Sequence, residues 1–315
     1  MNPRWIFIFQ MLSTFIPGFI AAQDSVIPRN KIAEQVSAAI NKRGETYTYS
    51  YTVRNGAGAE QSIWGFRLII PETVQVSDQR APEGWDPSYG IWEYKNCFVI
   101  SWGSADEVDI SPGSSLGGFS FATTKSIPGI VTYYAEGYAP PPSFEPGMAP
   151  DSIPGYDDLT PYGPGVVGKT VGPVPLPSLL TPVNFLDTLI SYKHQCLTLG
   201  WLIDKPQHEK DEDGDEIGEG VVKRLDRRLN RAREALVKGD SSKARGELEK
   251  FITKVEELYK ESQHREQEGE EEKFAYGGLS SEGYALLRYN AEYLRDRLNV
   301  EDKSGYDLIQ RHMRW

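Results

Sequence analysis

Cysteine is nearly missing from this chain: 315 residues contain only Cys97 and Cys196. Two thiols cannot form the disulfide framework of a small secreted scaffold, so the fold must rest on hydrophobic interiors. Their positions leave two readings open, a single bridge between the halves of the chain or two separate thiols. Histidine is also scarce. His194, His208, His264 and His312 show no ligand spacing, and no Cys/His cluster exists for zinc. Positive charge is in deficit, with 34 Lys and Arg against 45 Asp and Glu and a net charge of -11. That balance argues against nucleic acid as a partner, because phosphate binding needs clustered cations.

Long apolar runs are missing beyond the first residues. Arg4 precedes a run from Trp5 to Ile20 that closes on Ala21-Ala22-Gln23 and is broken by Gln10, Ser13 and Pro17. A bilayer span needs about 18 or more consecutive apolar residues, so residues 1–22 read as a cleaved signal peptide. The expected location is secreted or extracellular surface, with no transmembrane span after cleavage.

Beyond residue 22 the chain is long enough for two domains. Within residues 23–44, Ile32, Val36, Ala39 and Ile40 fall at helical spacing, which predicts a short helical segment. In Tyr47-Thr-Tyr-Ser-Tyr-Thr-Val53 every second residue is aromatic or aliphatic, the period of a half-buried strand. Similar runs recur at Ser62–Ile70, Thr73–Ser77, Gly90–Tyr94, Cys97–Trp102, Leu116–Thr123 and Gly129–Glu136. About seven short strands with turn residues between them predict an antiparallel β-sandwich over residues 45–138.

From residue 139 to 182 proline and glycine dominate, beginning with Pro140-Pro-Pro142. Proline lacks the amide donor and fixes φ, so this stretch reads as a semi-extended linker, with packing along the sandwich as the alternative. Residues 183–300 then carry amphipathic periods. Helix one takes Phe185, Leu186, Leu189, Ile190, Leu197 and Trp201. Helix two takes Leu225, Leu229, Ala232 and Leu236 and stops at Lys238-Gly239. Asp240 or Ser241 caps helix three, with its stripe Ala244, Leu248, Phe251, Ile252 and Val255. Helix four opens at Ser280-Ser281 and carries Tyr284, Leu287, Ala291, Leu294 and Leu298. Four such helices predict a bundle-like module, followed by a tail at 301–315. The expected class is therefore multidomain, all-β plus all-α.

The spacing Leu225-x3-Leu229-x2-Ala232-x3-Leu236-x2-Gly239-Asp240, continued by Ala244-x3-Leu248-x2-Phe251-Ile252-x2-Val255, resembles the FIMAH module appended to secreted bacterial proteins. The resemblance spans about Asp187 to Leu298, and charged insertions at Pro206–Gly220 and Gln263–Gly278 depart from its plain form. It implies fold and an extracellular setting, and no binding residues. More loosely, Pro112-Gly-Ser-Ser-Leu-Gly-Gly-Phe-Ser-Phe121 before Pro128-Gly129 resembles uncharacterised exported bacterial β-sandwiches.

Few motifs carry chemistry. Gly113-Ser-Ser-Leu-Gly117 matches the nucleophile-elbow pattern but leads into a strand, with no histidine before His194. Asp211, Asp213 and Asp215 in an acidic, glycine-bearing run are candidate Ca2+ ligands. A frame starting at Glu209 puts Gly220 where the bidentate Glu belongs, and a frame starting at Asp211 loses the sixth-position glycine. Glu72, Glu93, Asp106, Glu107 and Asp109 could supply a glycosidase pair by proximity alone. Of the aromatics, Trp85 and Tyr89 lie in the turn-rich run Pro82–Gly90, which makes them the candidate ligand-stacking rings, the alternative being a loop plug over the core. These features point to a secreted, non-catalytic interaction or structural protein that binds a glycan or a cell-surface protein through its sandwich. A carbohydrate-active hydrolase using sandwich carboxylates is the alternative.

Overall fold

The computed structural model describes residues 30–93, 95–105, 108–138, 165–204, 209–210, 216–217, 220–267 and 278–312. Nine strands come first: β1 (Glu34–Arg43), β2 (Thr46–Asn55), β3 (Ile63–Ile69), β4 (Gln75–Arg80), β5 (Trp85–Trp92), β6 (Cys97–Ser104), β7 (Ser115–Thr124), β8 (Ser126–Gly137) and β9 (Val166–Pro175). They form two antiparallel sheets, one ordered β1-β2-β7-β4 and the other β5-β6-β3-β8-β9.

The period-2 pattern explains the packing between them. On β2, Tyr47, Tyr49, Tyr51 and Val53 are buried while the residues between them face solvent. Facing them from the other sheet are Phe66, Leu68, Ile100 and Trp102. The rings interlock: Phe66 stacks on Trp102 at 5.3 Å and 11°, and Trp85 meets Phe119 edge-on at 5.0 Å. Each such ring contributes about 1.5–3 kcal/mol through burial alone. The Tyr51 hydroxyl, enclosed in this interior, donates to the Val171 carbonyl on β9 at 2.9 Å.

Helices α1 (Pro182–Thr198), α2 (Val221–Val237), α3 (Ser241–Gln267) and α4 (Ser281–His312) come next, with two-residue strands β10 (Leu202–Ile203), β11 (Glu209–Lys210), β12 (Glu216–Ile217) and β13 (Gly278–Leu279) between them. Their ends obey capping chemistry. Thr181 accepts from the Asn184 amide, Gly239 takes φ +76 after α2, and Asp240 accepts from the Lys243 amide at 2.9 Å. Around the helical core α1 packs on α2 and α4, and α3 on α2 and α4. Lys193, fully buried on α1, is held by an ion pair to Asp226 on α2.

Four expectations change. The segment around residues 34–43 is strand β1, because pairing with β2 along its whole length decides between two apolar periods that both fit. The stretch expected to be linker contributes β9, which pairs with β8 from Ser126↔Pro175 to Ala135↔Val166. Prolines are tolerated there because β9 is an edge strand. The run expected to be loop at residues 85–89 belongs to edge strand β5, which accommodates Pro87 for the same reason. Finally, α4 continues through the expected tail to His312.

The two halves are also not insulated. Ile127 and Val171 of the sheets belong to the apolar cluster of the helices, and Ala285 and Tyr289 of α4 belong to that of the sheets. Among the described residues no helix is long and apolar enough to cross a membrane.

Candidate functional site

The outer face of the five-stranded sheet carries an unusual cluster. Register places Arg67 on β3 opposite Ser101 on β6 and Tyr134 on β8, all on the face away from Phe66 and Leu68. Trp92, at the end of edge strand β5, projects to the same side. Its indole reaches across the intervening β6 and β3, meeting the Tyr134 ring edge-on at 5.0 Å and 73° while the Arg67 guanidinium lies over it at 5.1 Å. A cation over an indole face gains about 0.5–2 kcal/mol.

Arg67 is fixed from behind. It forms a two-pronged ion pair with Glu136, whose second contact is 3.3 Å, and Glu136 is only 3% exposed. Room for that carboxylate comes from Gly65, opposite Glu136 in the ladder, where an added Cβ would lie 3.4 Å from Glu136 atoms. Hydroxyls and a second cation flank the rings. Ser88 and Ser101 share a hydrogen bond of 2.7 Å, and Lys169 on β9 donates to the Thr132 hydroxyl at 2.8 Å. Val167, paired with Tyr134, stands 57% exposed. The face thus presents half-buried ring surface bordered by exposed donors and acceptors.

The candidate rings chosen from sequence lie elsewhere. Trp85 is 4% exposed, donates its indole N–H to the Val108 carbonyl at 3.0 Å, and is a core residue. Tyr89 is 40% exposed, but its hydroxyl donates to the Val74 carbonyl at 3.3 Å. It lies opposite the buried Ile100, on the other side of the sheet from Trp92. The structure therefore joins neither to the outer cluster.

Asp211, Asp213 and Asp215 lie outside the described residues, as do Asp106, Glu107 and the signal segment. Among the described residues no group of three or more His, Cys, Asp or Glu side chains could hold a metal. Glu72 comes after β3 and Glu93 precedes β6, at one end of the sandwich, whereas Asp109 comes after β6 at the other and accepts from Ser104. Gly113–Gly117 runs into β7, as its glycines suggest. Both cysteines are free, Cys97 on the sheet and Cys196 inside the helices. Burial, reinforced by the charge on Glu282, pushes the Cys196 thiol up to about 12.

No family model and no curated protein matches the chain. Limited similarity to solved structures includes two examples. One is an uncharacterised protein from Nocardia farcinica described as having an immunoglobulin-like fold. It is 13% identical with a TM-score of 0.25, covering 38% of this chain and 92% of that one. The other, described as the unique CBM3- of Hungateiclostridium clariflavum, is 11% identical with a TM-score of 0.22, covering 30% and 71%. Neither superposition is close enough to transfer a site.

Proposed function

We propose that this is a secreted, non-catalytic protein that binds a glycan on the outer face of its five-stranded sheet. The helical half, in line with its resemblance to FIMAH, serves as an accessory module. One observation carries the reading: Trp92 is drawn across two strands to lie between Arg67 and Tyr134. An indole used only for filling would be cheaper to bury in the core, as Trp85 and Trp102 are. Ring surface beside Ser88, Ser101 and Lys169 matches what a sugar offers, an apolar C–H face rimmed with hydroxyls.

The test is a glycan array with the full chain, then calorimetry on the best binder with wild type, Trp92→Ala and Tyr134→Ala. Binding that weakens about tenfold or more in Trp92→Ala, with the sugar recovered intact, supports the proposal. Affinity unchanged from wild type in both variants, or release of a cleaved sugar, overturns it.

A further inference from the structure

A second surface, on the helical half, has the opposite charge character from the rest of the chain. Between α2 and α3 lies a cleft of about 350 Å³ lined by Arg224, Arg227, Arg228, Lys250, Lys254 and the carboxylate Glu257. Its cations come from successive turns of facing helices. Arg224, Arg227 and Arg228 share one side of α2, and Lys250 and Lys254 stand four residues apart on α3.

The internal charge balance is incomplete. Arg228 and Lys250 share one carboxylate, Glu247, at 3.1 and 2.9 Å, and Lys254 pairs with Glu257 at 2.9 Å. The Nε of Arg224 is buried and has no hydrogen-bond partner among the described residues. Setting Arg227 aside, four cations therefore face two carboxylates. An oxyanion in the cleft would redress that imbalance, since guanidinium groups such as that of Arg224 bind sulfate and phosphate oxygens through paired, charge-assisted hydrogen bonds.

We infer that the α2–α3 cleft is an oxyanion site, built to take a sulfate or phosphate group through Arg224 with Arg227, Arg228 and Lys254 around it. The site is independent of the sheet face, and its loss leaves glycan binding by Trp92 untouched. The anion arrives either free or esterified to a sugar chain, and the two sources are separable by experiment.

Calorimetry on the full chain would use inorganic sulfate, inorganic phosphate and a sulfated hexasaccharide, each against chloride at matched ionic strength. Wild type, Arg224→Gln and the charge-matched control Arg54→Gln, at an exposed position of β2, would be compared. Because the Arg224 Nε has no acceptor to lose among the described residues, Arg224→Gln should keep its fold, and circular dichroism checks this. Saturable binding by wild type and Arg54→Gln, weakened about tenfold in Arg224→Gln, is the expected result. Saturation by the inorganic ions assigns a free anion; saturation by the hexasaccharide alone assigns an ester on a sugar. No saturable binding of any probe beyond the chloride control overturns the site, as does unchanged affinity in folded Arg224→Gln.

Discussion

Glu282, in the first turn of α4, accepts a hydrogen bond of 2.6 Å from the backbone N–H of Ala38 on β1, and both partners are buried. Two further contacts repeat the pattern along the helix. The Tyr289 hydroxyl donates to the Ile40 carbonyl at 3.1 Å, and Asn290 donates to the Pro128 carbonyl at 2.8 Å. An edge strand that would otherwise expose unpaired amides is covered by α4. The helical half is thereby docked on the sheets by polar groups that are costly to leave unmatched.

The expected consequence is a single unfolding transition. Fluorescence dominated by sheet tryptophans and far-ultraviolet dichroism dominated by helices should give superimposable denaturation curves. Glu282→Ala, which strands the Ala38 amide, should lower stability by about 1–3 kcal/mol. Two separated transitions in wild type would contradict this coupling.

The thiols should differ sharply in reactivity. Cys97 lies half-buried at the sheet end, where burial raises its pKa and the Lys95 charge partly offsets the rise. Cys196 is fully buried with its thiol pushed up to about 12. A thiolate reagent near neutral pH should modify one cysteine in the native state and two in denaturant. Two native modifications, or a bridge on a non-reducing gel, would refute the assignment.

Alkali should destabilise the fold through the sandwich. Burial, ahead of neighbouring charges, raises the phenols of Tyr47, Tyr49, Tyr51 and Tyr133 above their ordinary value of 10. A raised folded pKa contributes stability that is intact below the unfolded value and lost as pH climbs through the folded one. Stability should therefore fall as pH rises past about 10, and the tyrosinate absorbance of these four phenols should appear together with loss of structure. Full ionisation while the fold persists would contradict the burial.

In acid the balance reverses on α3. Burial works to raise the Glu247 carboxyl but is outweighed by hydrogen bonds from Lys250 and Arg228, which hold it below its ordinary value of 4.5. A depressed folded pKa contributes stability that is present above the unfolded value and lost as pH falls through the folded one. The stability gap between wild type and Glu247→Gln should accordingly narrow as pH drops through that range. A gap independent of pH would show that the ion pairs contribute nothing.

Arg67 should matter more than an exposed arginine. Replacing it with Met leaves the Glu136 carboxylate buried and alone, a loss of about 3–5 kcal/mol, whereas Arg67→Met with Glu136→Leu should recover much of it. Equal damage from the single and double changes, read by urea denaturation, would show that the stranded carboxylate is not the source of the loss.

Much of this architecture can be read along the chain because alternation and heptad-like stripes are local signals. The seven expected strands correspond to β2 through β8, and the four expected helices to α1 through α4. The misread elements are those in which a local signal competes with pairing. In β1, Val36, Ala38 and Ile40 alternate while Ile32, Val36, Ala39 and Ile40 also fit a helix, and only β2 decides between them. In β9, Pro173 and Pro175 mask a strand whose edge position makes proline harmless. The site is less legible still. Arg67 and Tyr134 occupy outward positions of their strands, which the period shows, but their meeting with Trp92 depends on the order β5-β6-β3-β8. That order is set by tertiary packing, and Trp85 and Tyr89 stand out instead because Pro82 and Pro87 make their strand look like a loop.

Nitrogen-resolved spectra of the full chain can follow the indole N–H of every tryptophan during titration with an array-selected glycan. The Trp92 signal should shift saturably, with the Arg67 side-chain signal moving alongside it, while those of the buried Trp85 and Trp102 stay in place. A saturable shift confined to other tryptophans, with Trp92 unmoved, would mean that sugar is recognised somewhere other than this face.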